Sequence, residues 1–161
     1  MPDMLVKLYD LKDHEDFFKS LKEKNICIRR AIVPEKHIVV EWAKENFNPH
    51  FADEAEAGFY NTPVSIFLAI DETDNKLIGV SCYDSTCRNF FGPVGVDKIY
   101  RGLNIGKALT IKTLLNMREV GYAYAIIGGV GPQHFYEKIC NAVLIEGSAP
   151  GVYKGMLKRK K

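Results

Sequence analysis

Two hydrophobic periods alternate along this chain: short apolar or alternating runs, and longer segments whose apolar residues recur every three or four positions. The first period fits strands and the second fits amphipathic helices. Residues 4–9 form a β-favouring run. Asp13 stands where it can cap a helix with Phe17, Phe18 and Leu21 on one face and Lys19, Lys22 and Glu23 on the other. Residues 26–32 read as a strand that Val33-Pro34 ends. Pro34 suits the first turn of a second helix, whose Ile38, Val39, Trp42, Ala43 and Phe47 make an apolar stripe. Asn48-Pro49 stops that helix, and residues 53–58 read as one further helical turn. Residues 64–70 and 77–83 flank an acidic turn and predict a hairpin, followed by a third strand over 90–96. The period then changes: Ile105, Ala108, Leu109, Ile111, Leu114 and Leu115 mark an amphipathic helix closed by Gly121. A buried strand at 124–127, a short helix at 132–140 and weaker strands at 142–145 and 152–157 complete the pattern.

That order predicts an α/β fold of the α+β kind, with a mixed, mostly antiparallel sheet flanked by helices on both faces. No repeat, low-complexity tract or linker divides the 161 residues, so 1–161 reads as a single domain. The net charge of +2 is too small to imply a polyanion, and the basic run at 158–161 reads as a solvated tail, so no nucleic acid is expected. Cys27, Cys82, Cys87 and Cys140 form no CxxC pair and have no His at zinc-ligand spacing. They read as reduced, packed thiols, and no metal is expected. The first residues lack the pattern of a secretory signal, and no apolar run is long enough to cross a bilayer, so a cytoplasmic protein with no membrane contact is expected.

The chemistry concentrates after the third strand of the meander, in Val94-Gly95-Val96-Asp97-Lys98-Ile99-Tyr100-Arg101-Gly102-Leu103-Asn104-Ile105-Gly106-Lys107-Ala108. A strand ends, a tight glycine-containing loop follows, and a helix begins at once. Helix starts leave backbone N–H groups unpaired at an electropositive end, glycines admit a ligand close to the backbone, and Arg101 and Lys107 add charge. This is the physics of a phosphate or diphosphate cradle. A Walker loop fails here, because Gly102 and Gly106 enclose three residues and Ala108 follows Lys107. The dinucleotide fingerprint is absent, since Gly129-Val130-Gly131 has no third glycine in register.

The run from Arg101 to Gly106, with Tyr100 before it and a long helix after it, resembles the acetyl-coenzyme A motif of the GNAT (GCN5-related N-acetyltransferase) superfamily. Asn104 stands where that motif usually has glycine. Phe135-Tyr136-Glu137-Lys138 resembles the aromatic element on the family's next helix, with Pro132 and Gly129 at positions usually held by a small residue and Asn. The resemblance covers residues 26–157 and leaves 1–25 as an added strand and helix outside the common core. It implies a GNAT-like sheet. It also implies acetyl-CoA held by Val94, Val96, Arg101, Gly102, Leu103, Asn104, Ile105, Gly106, Lys107, Ala108, Phe135 and Tyr136, and direct transfer of the acetyl group to a small-molecule primary amine. Tyr136 is implied as general acid toward the departing thiolate, which suits a phenol that keeps its proton at neutral pH. The base is open: Asp84 and Glu54 are the candidates, with Glu56 beside the latter. Asn61 and Ser65 are candidates for the acceptor pocket, and His134 is a candidate relay. A non-catalytic acyl-CoA-binding sensor or regulatory module is the alternative, and the oligomeric state, monomer or homodimer, stays open.

Overall fold

The structure, a computed structural model, describes residues 1–160. Its strands are β1 (Met4–Lys7), β2 (Ile26–Arg30), β3 (Ile66–Asp71), β4 (Lys76–Tyr83), β5 (Phe90–Val96), β6 (Tyr124–Ile127) and β7 (Val143–Leu144). Its helices are α1 (Glu15–Glu23), α2 (Lys36–Asn46), α3 (Pro49–Phe59), α4 (Ile105–Glu119) and α5 (Gln133–Cys140). The strands form one sheet in the order β2-β3-β4-β5-β6-β1-β7. All neighbours whose pairing runs through β2, β3, β4 and β5 are antiparallel, and β5 with β6 is the parallel pair. The expected mixed, mostly antiparallel α/β sheet is therefore present.

Alternation along β3 explains the two covered faces. Phe67 and Ala69 join Leu109, Leu114 and Met117 of α4 and Leu21 of α1 in one core, whereas Ile66 and Leu68 join Val39 and Ala43 of α2 and Phe51, Ala55 and Phe59 of α3 in the other. Each face is a helical stripe laid on a strand row, and neither could stay folded in water without its partner. The buried Ser81 hydroxyl lies 2.6 Å from that of Thr113, a polar pair satisfied inside the first core.

Several sequence expectations change. Residues 53–58 are part of an eleven-residue helix, α3, because Asn48-Pro49 both ends α2 and starts the next helix: Asn48 Oδ1 accepts the Phe51 amide at 2.9 Å, with Pro49 in the first turn. Asp13 does not cap α1; His14 holds the boundary at φ 55°, and Asp13 pairs with Arg118 at 3.4 Å. No strand forms over 152–157. Gly151 and Gly155 adopt φ of 62° and 76°, which break an extended run, and Gly151–Tyr153 is a 3₁₀ turn. β1 lies inside the sheet, antiparallel to both β6 and β7, with Met4 and Val6 fully buried.

Candidate functional site

The site is made by β5. Phe91 faces Tyr83 and Val94 faces Ser81, so Gly92 and Pro93 together oppose Cys82 alone, a β-bulge that bends the strand. Parallel pairing with β6 stops at Phe90 and Phe91. Beyond the bulge the two strands part, and the edge of β5 over 94–96 that faces away from β4 keeps backbone groups that no strand uses. The opening is a cleft of about 590 Å³ between Val94 and Val96, the start of α4, and Phe135 and Tyr136 of α5, with Phe47 against β5.

At one end of the cleft lies the N-terminus of α4. Gly102 and Asn104 both take left-handed backbone, φ 84° and 63°, which lets the chain turn sharply into the helix. The Asn104 side chain makes no cap, and the first amide returned to a carbonyl is that of Ala108, bonded to Asn104 O at 3.0 Å. The amides of residues 102–107 therefore have no backbone acceptor among the described residues. The space beside the two glycines is open: a Cβ on Gly106 would meet only Val96 Cγ2 at 3.8 Å, and one on Gly102 would meet nothing within 4 Å. Arg101 is exposed at this end and has no carboxylate partner among the described residues. Lys107 lines the cleft, but its Nζ stands 4.5 Å over the Phe17 ring, a cation–π contact that draws its charge toward α1. Such an end attracts an anion by dipole, donors and charge together.

At the other end, Tyr136 is almost fully buried between Phe91 and Phe135, with ring centroids 6.2 and 5.0 Å away. Burial, and then Cys140, push its phenol up to about 12. It keeps its proton at neutral pH and can act there only as a donor.

Ten residues that the sequence assigns to acetyl-CoA line this one cleft: Val94, Val96, Arg101, Gly102, Asn104, Ile105, Gly106, Lys107, Phe135 and Tyr136. Leu103 and Ala108 do not. The Leu103 side chain is exposed outside the lining, and Ala108 is core with its amide already bonded. Asp84 does not line the cleft, and its carboxylate is engaged elsewhere: Oδ1 accepts the Asn89 amide and Oδ2 the Tyr122 hydroxyl, each at 2.7 Å. It ties the β4–β5 loop to the entry of β6. Asn61 and Ser65 bond to each other at 2.8 Å, and Asn61 also donates to Asp84 O, so they brace the same loop. Glu56 pairs with Lys36 at 3.8 Å, and His134 is exposed 3.6 Å from Glu137. Glu54 is the base candidate that lines a cavity together with β5. It accepts a hydrogen bond from the Thr86 hydroxyl and borders a small cavity beside Gly92 and Pro93. The thiols of Cys82 and Cys140 are buried and pushed up by burial, Cys140 to about 12, which leaves them poor nucleophiles.

Phe47 and Tyr100 also line the cleft, and sequence reasoning did not assign them to it. Phe47 reaches β5 because Gly95 has no side chain; a Cβ there would overlap the Phe47 ring and stand 2.8 Å from Phe51. The signal was Gly95 inside a strand, which marks a close approach without saying what approaches. Among the described residues no cluster of His, Cys, Asp or Glu could hold a metal ion, and no helix is long and apolar enough to cross a membrane.

No protein-family profile and no curated protein match the chain. Solved structures do. A GCN5-related glucosamine N-acetyltransferase region of a fungal multi-domain GH3 β-N-acetylglucosaminidase superposes with a TM-score of 0.74 at 16% identity, over 89% of this chain and 19% of that one. A GCN5-related N-acetyltransferase from Sphaerobacter thermophilus gives 0.63 at 15% identity over 89% and 48%, and one from Kribbella flavida gives 0.61 at 15% over 89% and 53%. The chain thus spans about half or less of the length of these proteins. At such identities the likeness speaks for the backbone, and the backbone of this chain has the fold of the GCN5-related N-acetyltransferases.

Proposed function

We infer that the chain is an acetyl-CoA-dependent N-acetyltransferase that acts on a small primary amine. The observation that carries this reading is that one cleft is lined by the start of α4, whose first amides have no backbone acceptor, by the edge of β5 that β6 leaves unpaired, and by Tyr136. Acetyl-CoA fits that sequence of groups. The amides of 102–107, with Arg101, would hold its diphosphate, and the β5 edge at Val94 and Val96 would take the amides of its arm as an added strand. The co-substrate supplies an activated acetyl thioester. The neutral amine nitrogen bonds to the thioester carbon while the C–S bond breaks. Tyr136 gives its proton to the leaving sulfur, and the amine's extra proton passes to Glu54 directly or through water. N–H groups on the edge of β5 that β6 leaves unpaired would stabilise charge on the carbonyl oxygen.

The solved structure described as a glucosamine N-acetyltransferase region supports an amine as acceptor class. The reading is tested by titrating the protein with acetyl-CoA and following thermal stabilisation, then measuring thiol release with a panel of primary amines. Stabilisation with amine-dependent release is expected. No stabilisation at saturating acetyl-CoA removes the reading. Stabilisation without release from any amine leaves a non-catalytic acyl-CoA-binding module in its place.

A further inference from the structure

β2 is the first strand in the sheet order, and no strand lies beyond it. Ala31 donates to Ile66 O and Glu72 donates to Asn25 O, each at 2.8 Å, so the odd-numbered residues of β2 bond toward β3. The N–H and C=O groups of Ile26, Ile28 and Arg30 therefore point the other way. Ile26 is buried, and Arg30 O accepts from Arg29 Nη1 at 3.1 Å. Ile28 N–H, Ile28 C=O and Arg30 N–H are left, on partly exposed residues, with no partner among the described residues. We propose that this edge docks an extended segment of a partner protein in which acidic and apolar residues alternate. The groove beside it shares no lining residue with the cleft, so the proposal goes beyond the acetyltransferase reading.

The acidic residues follow from the face that α1 and α4 cover. Lys19 and Lys22 of α1, Lys112 of α4 and Arg30 of β2 line one groove there, over Ile28 and Phe67. None of these four cations pairs with a carboxylate among the described residues. Arg30 is fixed in place: it donates to Val64 O, and its guanidinium lies 5.0 Å over the Phe67 ring. Glu15 and Glu119 also line the groove without a cation partner, while Asp13 is paired with Arg118 and Arg29 with Glu35, so the cations keep a surplus. Acidic side chains on an added strand are drawn to that surplus.

The apolar residues follow from the opposite face. Arg29 is neutralised there by Glu35, Nη1 to Oε2 at 3.0 Å. Ile38 lines the surface beside that pair and is 63% exposed, and Ile32 and Val33, which follow β2, are exposed as well. Strand side chains alternate between faces, so an added segment meets cations at one set of positions and apolar groups at the other. A peptide also suits the groove better than a fatty acid or an inorganic anion. Asn116 Oδ1 is buried in the groove wall with no donor, and a peptide brings N–H groups that the other two lack.

A second copy of the chain is the poorer occupant. Two such edges meeting would set Lys19, Lys22 and Arg30 of one copy against the same three cations of the other. Charges on and beside an edge strand oppose pairing of like with like. An acidic segment turns the same charges into attraction, which gives the edge a partner and denies it to itself.

The test titrates the full chain into a fluorescein-labelled Glu-Val-Glu-Val-Glu-Val-Glu peptide and follows anisotropy, with NMR hydrogen exchange on the complex. The alternating peptide should bind at least tenfold tighter than a Glu-Glu-Glu-Glu-Val-Val-Val peptide of equal charge, and a Lys-Val alternating peptide should not bind. Exchange at the Ile28 and Arg30 amides should slow at least tenfold in the complex, while the Cys27 and Arg29 amides, already bonded to β3, change little. The exposed double variant Lys19→Glu, Lys22→Glu should weaken binding at least tenfold with an unchanged Tm. No saturable binding, equal binding of the block peptide, or unchanged exchange at Ile28 and Arg30 in the complex overturns the proposal. Slowed exchange there without peptide, growing with protein concentration alongside a dimer in sedimentation, gives the edge to a second copy and also overturns it. Each of these outcomes leaves the acetyltransferase reading untouched.

Discussion

Replacing Gly106 with glutamate separates the fold from its ligand, because the two should respond with opposite signs. Gly106 sits in the first turn of α4 with helical backbone, and a side chain there enters the open cleft, its Cβ meeting only Val96 Cγ2 at 3.8 Å. Glutamate is better than glycine inside a helix by roughly 0.5 kcal/mol. A carboxylate beside unpaired amides at a helix start adds roughly 0.3–1 kcal/mol. The variant should thus gain about 1 kcal/mol, a rise in Tm of roughly 2–4 °C for a chain of this size. On the acetyl-CoA reading, the same carboxylate would occupy the seat of the diphosphate and repel it. Losing even two charge-assisted N–H bonds, at roughly 1.5–3 kcal/mol each, weakens acetyl-CoA binding by at least about a hundredfold. Thermal melts of the free protein and calorimetric titration with acetyl-CoA read the two effects. A Gly106→Glu protein that binds acetyl-CoA within threefold of wild type would show that the α4 amides hold no diphosphate. A lower Tm would show that they are not free.

Tyr136→Phe should lower kcat roughly a hundredfold with little change in the KM for acetyl-CoA; an unchanged kcat in thiol-release assays removes Tyr136 as the acid. The same phenol links stability to pH. The unfolded group ionises near pH 10 and the folded one near about 12. Its contribution is therefore complete below pH 10 and roughly 2–3 kcal/mol of it is lost as pH rises to 12. Denaturant melts across that window should fall less steeply in Tyr136→Phe than in wild type. Gly95→Ala forces a methyl into the Phe47 and Phe51 rings and should cost roughly 1–3 kcal/mol, visible as a lower Tm; an unchanged Tm would mean that this contact yields freely. Asp3→Ala removes the acceptor of the Gly129 amide and should cost roughly 1.5–3 kcal/mol, with faster amide exchange at Gly129; wild-type exchange there would show that the carboxylate holds nothing.

What could be read from the residues was whatever they dictate locally. The switch from strand period to helix period around Tyr100 is carried by adjacent residues, so the loop, the α4 start and the Phe135-Tyr136 pair were all visible before any coordinates. Asn48-Pro49 was ambiguous for a physical reason: the same pair can stop one helix and cap the next, and only the packing of Phe51, Ala55 and Phe59 against β3 and β4 decides for the second. The run over 152–157 looked like a strand because its apolar spacing ignores the left-handed backbone that Gly151 and Gly155 adopt. The structural ties of Asp84 are not legible in the sequence, because an acid after a strand says nothing of the Asn89 amide and Tyr122 hydroxyl that bond to it. Thr86, Gly128 and Tyr153, which line the small cavity with Glu54, could not be grouped at all, since they come from three loops that only the sheet order brings together.

That sheet order also bears on how the molecule comes to be assembled. β1 is sandwiched between β6 and β7, so the strand made early must wait for partners roughly 120 and 140 residues downstream before closing a long and entropically unfavourable loop. Until then Met4, Val6 and Leu8 have no cover, which makes this segment a target for misassociation while the sheet is incomplete. β7 touches the sheet only through β1. Removing β1 would therefore detach β7 as well, and the two strands should unfold as one cooperative unit.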